Sequence, residues 1–254
     1  MISQIIGLNL IPAVLVHNNN DSVGMFLSLT DVAIYGCRNL STLDHFLLPK
    51  YVPAMKRITI GGCKRLESIP TEMFGDFHFL EELSMTSCPK IRSRRLVSPS
   101  LKKLRLSDSA LFYRFCGELP SLPSERFGSF PYLKDLQIHN CRSLKWQRGL
   151  VLPLSLQRLS LHYCGDMFSS VPSCLTNLAS LVSLTMKGCQ GIRCIPGDIW
   201  CYNLTSLELL EIRDCPDLVS IGGAKAVEKI QSVWICECPN LKGVSGILRR
   251  CSKG

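Results

Sequence analysis

Between Leu207 and Ile221 the sequence reads Leu-x-x-Leu-x-Ile-x-x-Cys-Pro-x-Leu-x-x-Ile. Leu210 and Ile212 stand two apart, the spacing of one face of a strand, and three-residue steps then lead to Cys215, Leu218 and Ile221. A strand repeats every two residues and a helix every 3.6, so neither element alone carries this pattern. A coil does, if each turn is a short strand, a tight bend at the cysteine and an arc returning outside. The frame recurs on Leu29, Val32, Ile34 and Cys37; on Met55, Ile58, Ile60 and Cys63; and on Leu80, Leu83, Met85 and Cys88. It then falls on Leu101, Leu104, Leu106 and Ser109, on Leu133, Leu136, Ile138 and Cys141, and on Leu156, Leu159, Leu161 and Cys164. Leu181, Leu184, Met186 and Cys189 carry it next, and after the Leu207 copy Ile230, Val233, Ile235 and Cys238 complete the series.

Anchor steps run from roughly 21 to 32 residues and centre near 25, the range of leucine-rich repeats. The expected fold is therefore an α/β, β-rich solenoid: a leucine-rich-repeat horseshoe with about nine repeats. Short parallel strands should line its concave face and mostly irregular arcs its convex face. Ile69-Pro70, Val171-Pro172 and Ile195-Pro196 each close a cysteine segment, where proline forbids further ladder pairing. The repeat domain is placed at 26–245, and 1–25 holds a degenerate or truncated repeat on Ile5, Leu8, Leu10, Ala13 and Val16. The long step between Ser109 and Cys141 predicts an enlarged convex loop over about 110–131, with Phe127, Phe130 and three prolines. Residues 246–254 form a tail. Neither end carries a convincing polar cap, which solenoids need, so the expectation is a part of something longer.

A solenoid grows by adding turns, so 254 residues make one repeat domain. The apolar run Ile5 to Val16 holds Asn9 and Pro12, is too short to span a bilayer, and follows no Lys or Arg of a secretory signal. Eight of the 14 cysteines occupy one repeat position. There a thiol acts as a small hydrophobe and a weak donor to a carbonyl at the bend. Reduced thiols place the chain in the cytosol or nucleus. The net charge of +9 concentrates at Lys90, Arg92, Arg94, Arg95, Lys102, Lys103 and Arg105. This run reads first as a solvated convex loop and second as a patch for an acidic protein surface. Without interleaved aromatics it is a poor nucleic-acid surface.

Residues between the apolar strand positions face the concave side. The first three turns present Ala33, Tyr35, Thr59, Gly61, Ser84 and Thr86 there. From Arg105 onward the surface turns polar, basic and aromatic. Arg105, His139, His162, Tyr163, Lys187, Arg213 and Trp234 are the candidate protein-binding strip, because Trp, Tyr and Arg dominate interface energetics. His139 and His162 fall on adjacent turns, but no carboxylate or nucleophile shares their ladder position. Cys236 and Cys238 are too close for the usual zinc spacing, and Cys189, Cys194 and Cys201 lack a fourth ligand. No phosphate-cradling Gly-x-x-x-x-Gly-Lys-Ser/Thr occurs. The reading is a non-enzymatic protein with no cofactor and no metal.

The phrase Leu-Glu-x-Leu-x-Ile-x-x-Cys-Pro-x-Leu of Leu207 to Leu218, approximated by Leu80 to Ile91, resembles the repeats of plant nucleotide-binding/leucine-rich-repeat disease-resistance proteins. The resemblance covers roughly residues 26 to 245 and rests on cysteine at the bend, proline often next, and Ile-Pro after the arc. It implies a ligand-sensing or autoinhibitory repeat domain whose partners are a pathogen effector, a guarded host protein or a nucleotide-binding module. The phosphate loop of that module is missing from these residues, so nucleotide switching does not carry over. A substrate adaptor of a ubiquitin ligase is the rival reading, although the Ile-Thr-Asp phrase such repeats carry after the cysteine is absent.

Overall fold

The computed structural model describes residues 26–91, 96–109, 130–142, 152–164 and 174–244. The degenerate repeat in 1–25, Arg92, Arg94 and Arg95, almost all of the 110–131 loop, Val171-Pro172 and the 246–254 tail lie outside these. The chain divides into two compact units, Met1–Phe115 and Cys116–Gly254.

In the first unit, β1 (Asp31–Tyr35), β2 (Arg57–Gly61), β3 (Glu82–Cys88) and β4 (Lys103–Ser109) pair in parallel in chain order. The second unit repeats this with β5 (Asp135–His139), β6 (Arg158–His162), β7 (Ser183–Lys187), β8 (Leu209–Arg213) and β9 (Ser232–Cys236). Register follows the sequence frame without slippage. Val32, Ile58, Leu83 and Leu104 form one inward row and Ile34, Ile60, Met85 and Leu106 the next. Leu136, Leu159, Leu184 and Leu210, and Ile138, Leu161, Met186 and Ile212, do the same in the second unit. All sixteen are at most 2% exposed. Each such burial contributes about 1.5–3 kcal/mol before chain entropy is charged, and a one-residue slip would turn every one of these side chains outward. Each unit is thus a parallel solenoid of the expected kind. On the last described turn Ile230, Val233, Cys238 and Leu241 are only half-buried.

The bend after each strand has one construction. The residue after the last outward strand position takes a left-handed φ between 46° and 65° in all nine turns: Gly36, Gly62, Ser87, Asp108, Asn140, Tyr163, Gly188, Asp214 and Glu237. Six of these are Gly, Asn or Asp, the types that tolerate this region best. In six turns the N–H of this residue extends the ladder to the next turn, as in Asn140 N to His162 O at 2.8 Å and Gly188 N to Arg213 O at 2.9 Å. In eight of these nine turns a cysteine follows the bend and returns its thiol to the carbonyl two residues back; Ser109 stands there in the other. Cys164 Sγ reaches His162 O at 3.3 Å and Cys215 Sγ reaches Arg213 O at 3.3 Å; Cys37, Cys63, Cys88, Cys141, Cys189 and Cys238 bond likewise. A carbonyl has two lone pairs, and here the next thiol takes the one the ladder leaves. The eight aligned cysteines are free thiols.

The arcs are short and irregular: a 3₁₀ helix at Thr71–Asp76, another at Ala224–Val227, and a π turn at Ile199–Asn203. Phe74 and Phe77 pack edge to face beneath the first, both fully buried. Trp200 caps the core of the second unit and donates from Nε1 to Ile221 O at 2.8 Å. No helix among the described residues is long and apolar enough to cross a membrane.

Candidate functional site

The open face of each sheet carries the residues that alternate with the core rows. In the first unit its edge column is a ladder of opposite charges. Asp31 pairs with Arg57, Glu82 with Lys103 at 3.9 Å, and just before the strands Lys102 Nζ meets Glu81 Oε1 at 2.7 Å. That hydrogen bond from Lys102 holds the Glu81 carboxyl below its ordinary range. Lys102 and Lys103, part of the basic run read from the sequence, are therefore matched by the acids of the preceding turn. Behind that ladder the face is small: Ala33, Thr59 and Ser84 lead in register to the exposed Arg105, the one strip residue of this unit.

The other six strip residues lie in the second unit. His139, His162, Lys187 and Arg213 occupy one register row, each opposite the next on neighbouring parallel strands. Neighbouring strands are about 4.8 Å apart, so this is a line of four basic or protonatable groups. The two imidazoles are stacked, with centroids 4.2 Å apart and planes 5° from parallel. Ser160, in the adjacent column of β6, bridges them: its Oγ is 3.3 Å from His139 Nε2 and 3.1 Å from His162 Nε2. Burial disfavours the His162 imidazolium and the nearby Lys187 charge adds to this, so its pKa lies below the ordinary value. Lys187 has no carboxylate within ion-pair distance among the described residues; its ammonium stands 6.0 Å from the centre of the Tyr163 ring. Arg213 Nε is 2.8 Å from Glu211 Oε1, an ion pair without hydrogen-bond alignment.

Tyr163 stands one residue beyond β6, at the left-handed bend. Its ring crosses Gly188 and its hydroxyl donates to Asp214 Oδ2 at 3.3 Å, two turns away, with the Arg142 guanidinium 5.8 Å from the ring centre. Trp234 is 37% exposed, stands opposite Glu211, and donates from Nε1 to Ser232 Oγ at 2.7 Å.

Three side chains outside the strip shape the open face of this unit. Ser160 bridges the two histidines, a contact that the repeat frame does not reveal. Asp135 begins β5 as a nearly buried carboxylate, accepting from Arg158 Nε at 3.3 Å and Gln137 Nε2 at 3.0 Å. The period of two, carried one residue before the first core position, would have found Asp135 and Arg158. Asp214 had no linear signal. No group of three or more His, Cys, Asp or Glu able to hold a metal ion occurs among the described residues.

Stacked parallel strands, in-register leucine rows and a cysteine-closed bend define a leucine-rich-repeat solenoid. Its homologues are plant disease-resistance proteins. It is 30% identical over 162 residues to Protein SUPPRESSOR OF npr1-1, CONSTITUTIVE 1 of Arabidopsis thaliana, covering 64% of this chain and 9% of that one. To Disease resistance protein RPP4 of the same plant it is 32% identical over 125 residues, 49% of this chain and 10% of the relative. To Disease resistance protein RPS6, also from Arabidopsis thaliana, it is 26% identical over 205 residues, 65% of this chain and 17% of the relative. The chain thus spans under a fifth of the length of each of these relatives. A solved TLR13–ssRNA13 complex overlaps 84% of this chain and 37% of its own at a TM-score of 0.44 and 16% identity. No family model matches the chain.

Proposed function

We propose that this chain is the protein-recognition part of a plant disease-resistance protein, acting without catalysis in the cytosol or nucleus. Its contact residues lie on the open face of the strands of each unit: Arg105 in the first, and His139, His162, Tyr163, Lys187, Arg213 and Trp234 in the second. The repeats run through 26–245, and the partner is a pathogen effector, a guarded host protein or a nucleotide-binding module. The observation that supports this most is the row His139, His162, Lys187, Arg213 on the open face of a chain whose homologues are resistance proteins. Regular strands hold such a row rigidly, so little order is lost on contact with a partner.

Co-expression with a nucleotide-binding module from a plant disease-resistance protein tests the reading. The chain should be captured with the module, and Arg213→Glu or Trp234→Ala should reduce capture at least about tenfold, the loss of one strong interface contact. Capture at wild-type strength by both variants would overturn the assignment of the surface.

A further inference from the structure

The histidine pair has a property that a plain basic row lacks. In the neutral state the Ser160 hydroxyl donates to one Nε2 and accepts from the other, joining the two imidazoles through one hydroxyl. A proton added to the accepting imidazole makes both rings donors. The hydroxyl oxygen then accepts from both through its two lone pairs, and its own hydrogen must turn away from the rings. Protonation therefore delivers two things to the open face at once: positive charge beside Lys187 and a new O–H donor. In the empty site both are unfavourable, because stacked imidazoles 4.2 Å apart and the neighbouring ammonium resist a further charge. An anion seated on the row removes that penalty.

We propose that His139, His162 and Lys187 form a proton-gated binding site for the carboxylate side chains of an acidic peptide segment, with Ser160 as the switching donor. This rests on the reading of the open face as a recognition surface and gives that surface its partner chemistry. The surrounding charges are accounted for within the unit. On β5, Asp135 is held by Arg158 and Gln137. After β5, Arg142 faces the Tyr163 ring. On β8, Arg213 faces Glu211, and Asp214 beyond it accepts from Tyr163. Lys187 on β7 has no carboxylate of the described residues within ion-pair distance and, like Arg142, faces the Tyr163 ring. The same acids decide the class of ligand. Glu211 and Asp214 border the Arg213 end of the row and repel a continuous polyanion such as a nucleic acid. Spaced side-chain carboxylates can reach the row between them. Tyr163 is a poor platform for base stacking, since one part of its ring lies over Gly188 and its hydroxyl is tied to Asp214.

The probe is a fluorescent peptide of alternating Asp and Gly, whose carboxylates are ionised throughout, with an Asn-Gly peptide as control. Anisotropy titrations at equal ionic strength should give about fivefold tighter binding of the Asp peptide at about pH 5.5 than at about pH 7.5, and no comparable binding of the Asn peptide. K187Q should weaken binding at both pH values, and H139Q/H162Q should abolish the pH dependence. A histidine NMR titration needs no variant: the peptide should raise the pKa of His162. Equal affinity at the two pH values, pH dependence surviving in H139Q/H162Q, or a His162 titration unmoved by the peptide would each overturn the proposal. Should the peptide fail while the nucleotide-binding module is still captured through Arg213 and Trp234, this inference falls and the recognition reading stands.

Discussion

A β-carbon at Gly188 would fall 2.1 Å from Cδ1 of Tyr163, because the tyrosine leaves its own bend and crosses the backbone of the next turn to reach Asp214. Gly188 therefore does two jobs. It takes φ +59° without steric cost, and it opens the space through which a side chain of one turn touches the turn after next. In the first unit Tyr35 lies over Gly61, a strand glycine without the left-handed φ, and a β-carbon there would fall 2.7 Å from Tyr35 Cδ1.

Gly188→Ala should cost about 2–4 kcal/mol, combining the left-handed penalty of about 1–2 kcal/mol with displacement of the Tyr163 ring. In a Tyr163→Ala background only the backbone part should remain, so the double-mutant cycle should give a coupling above about 0.5 kcal/mol. Urea denaturation of the four proteins measures this. Strict additivity would show that the ring does not occupy the space over Gly188.

Stability should fall as pH drops through the ordinary histidine value of 6.5, because His162 titrates below it in the folded chain. The sign follows from proton counts. Between the two pKa values the unfolded chain binds a proton that the folded chain does not, so acid favours unfolding, and the effect is absent above about 7. Urea midpoints collected from about pH 8 to about pH 5 should show this decline, and His162→Asn should flatten it. A wild-type midpoint rising toward acid would contradict the half-buried setting of this imidazole beside Lys187.

How much of this was readable in the sequence differs between backbone and side chains. The inward rows were legible because apolar spacing is set by local geometry: Leu136 and Ile138 must share a face whatever surrounds them. The cysteine bends were legible for the same reason, since Cys164 and Cys189 stand at a fixed offset from their strands. Adjacency of His139 and His162 also followed from the repeat, because equal frame positions on successive turns become neighbours. What could not be read was how side chains bridge columns. Ser160 joins the two histidines only because both rings turn toward it, and Tyr163 finds Asp214 only because Gly188 lies between. The division of the chain at Phe115 and Cys116 falls inside the longest anchor step, where the spacing rule no longer constrains the chain.

Several of the buried thiols should be chemically quiet. Burial pushes Cys174 up to about 12, and the neighbouring Cys189 thiol pushes Cys215 up to about 12. Burial drives Cys164 higher still. Since the thiolate is the nucleophile, iodoacetamide at about pH 8 should label Cys194 and Cys201, the exposed cysteines among the described residues, before the buried ones. Cys63, Cys164, Cys174 and Cys215 should react only after denaturation, resolved by peptide mass spectrometry. Rapid labelling of Cys164 in the native chain would mean the bends are open.

The edge pair of β5 and β6 should be strongly asymmetric. The Asp135 side chain is 9% exposed and takes hydrogen bonds from both Arg158 and Gln137, whereas the Arg158 side chain is 63% exposed. Removing Arg158 leaves Asp135 with Gln137 and a path to water, so Arg158→Ala should cost under about 1 kcal/mol, as for most exposed ion pairs. Removing Asp135 strips two donors of their acceptor and leaves a hole beside Leu136, so Asp135→Ala should cost about 1–3 kcal/mol. Asp135→Asn keeps the shape and one acceptor oxygen and should fall between the two. Urea midpoints of the three variants give the ordering. If Arg158→Ala proves as damaging as Asp135→Ala, the ion pair itself rather than the buried carboxylate anchors this edge of the sheet.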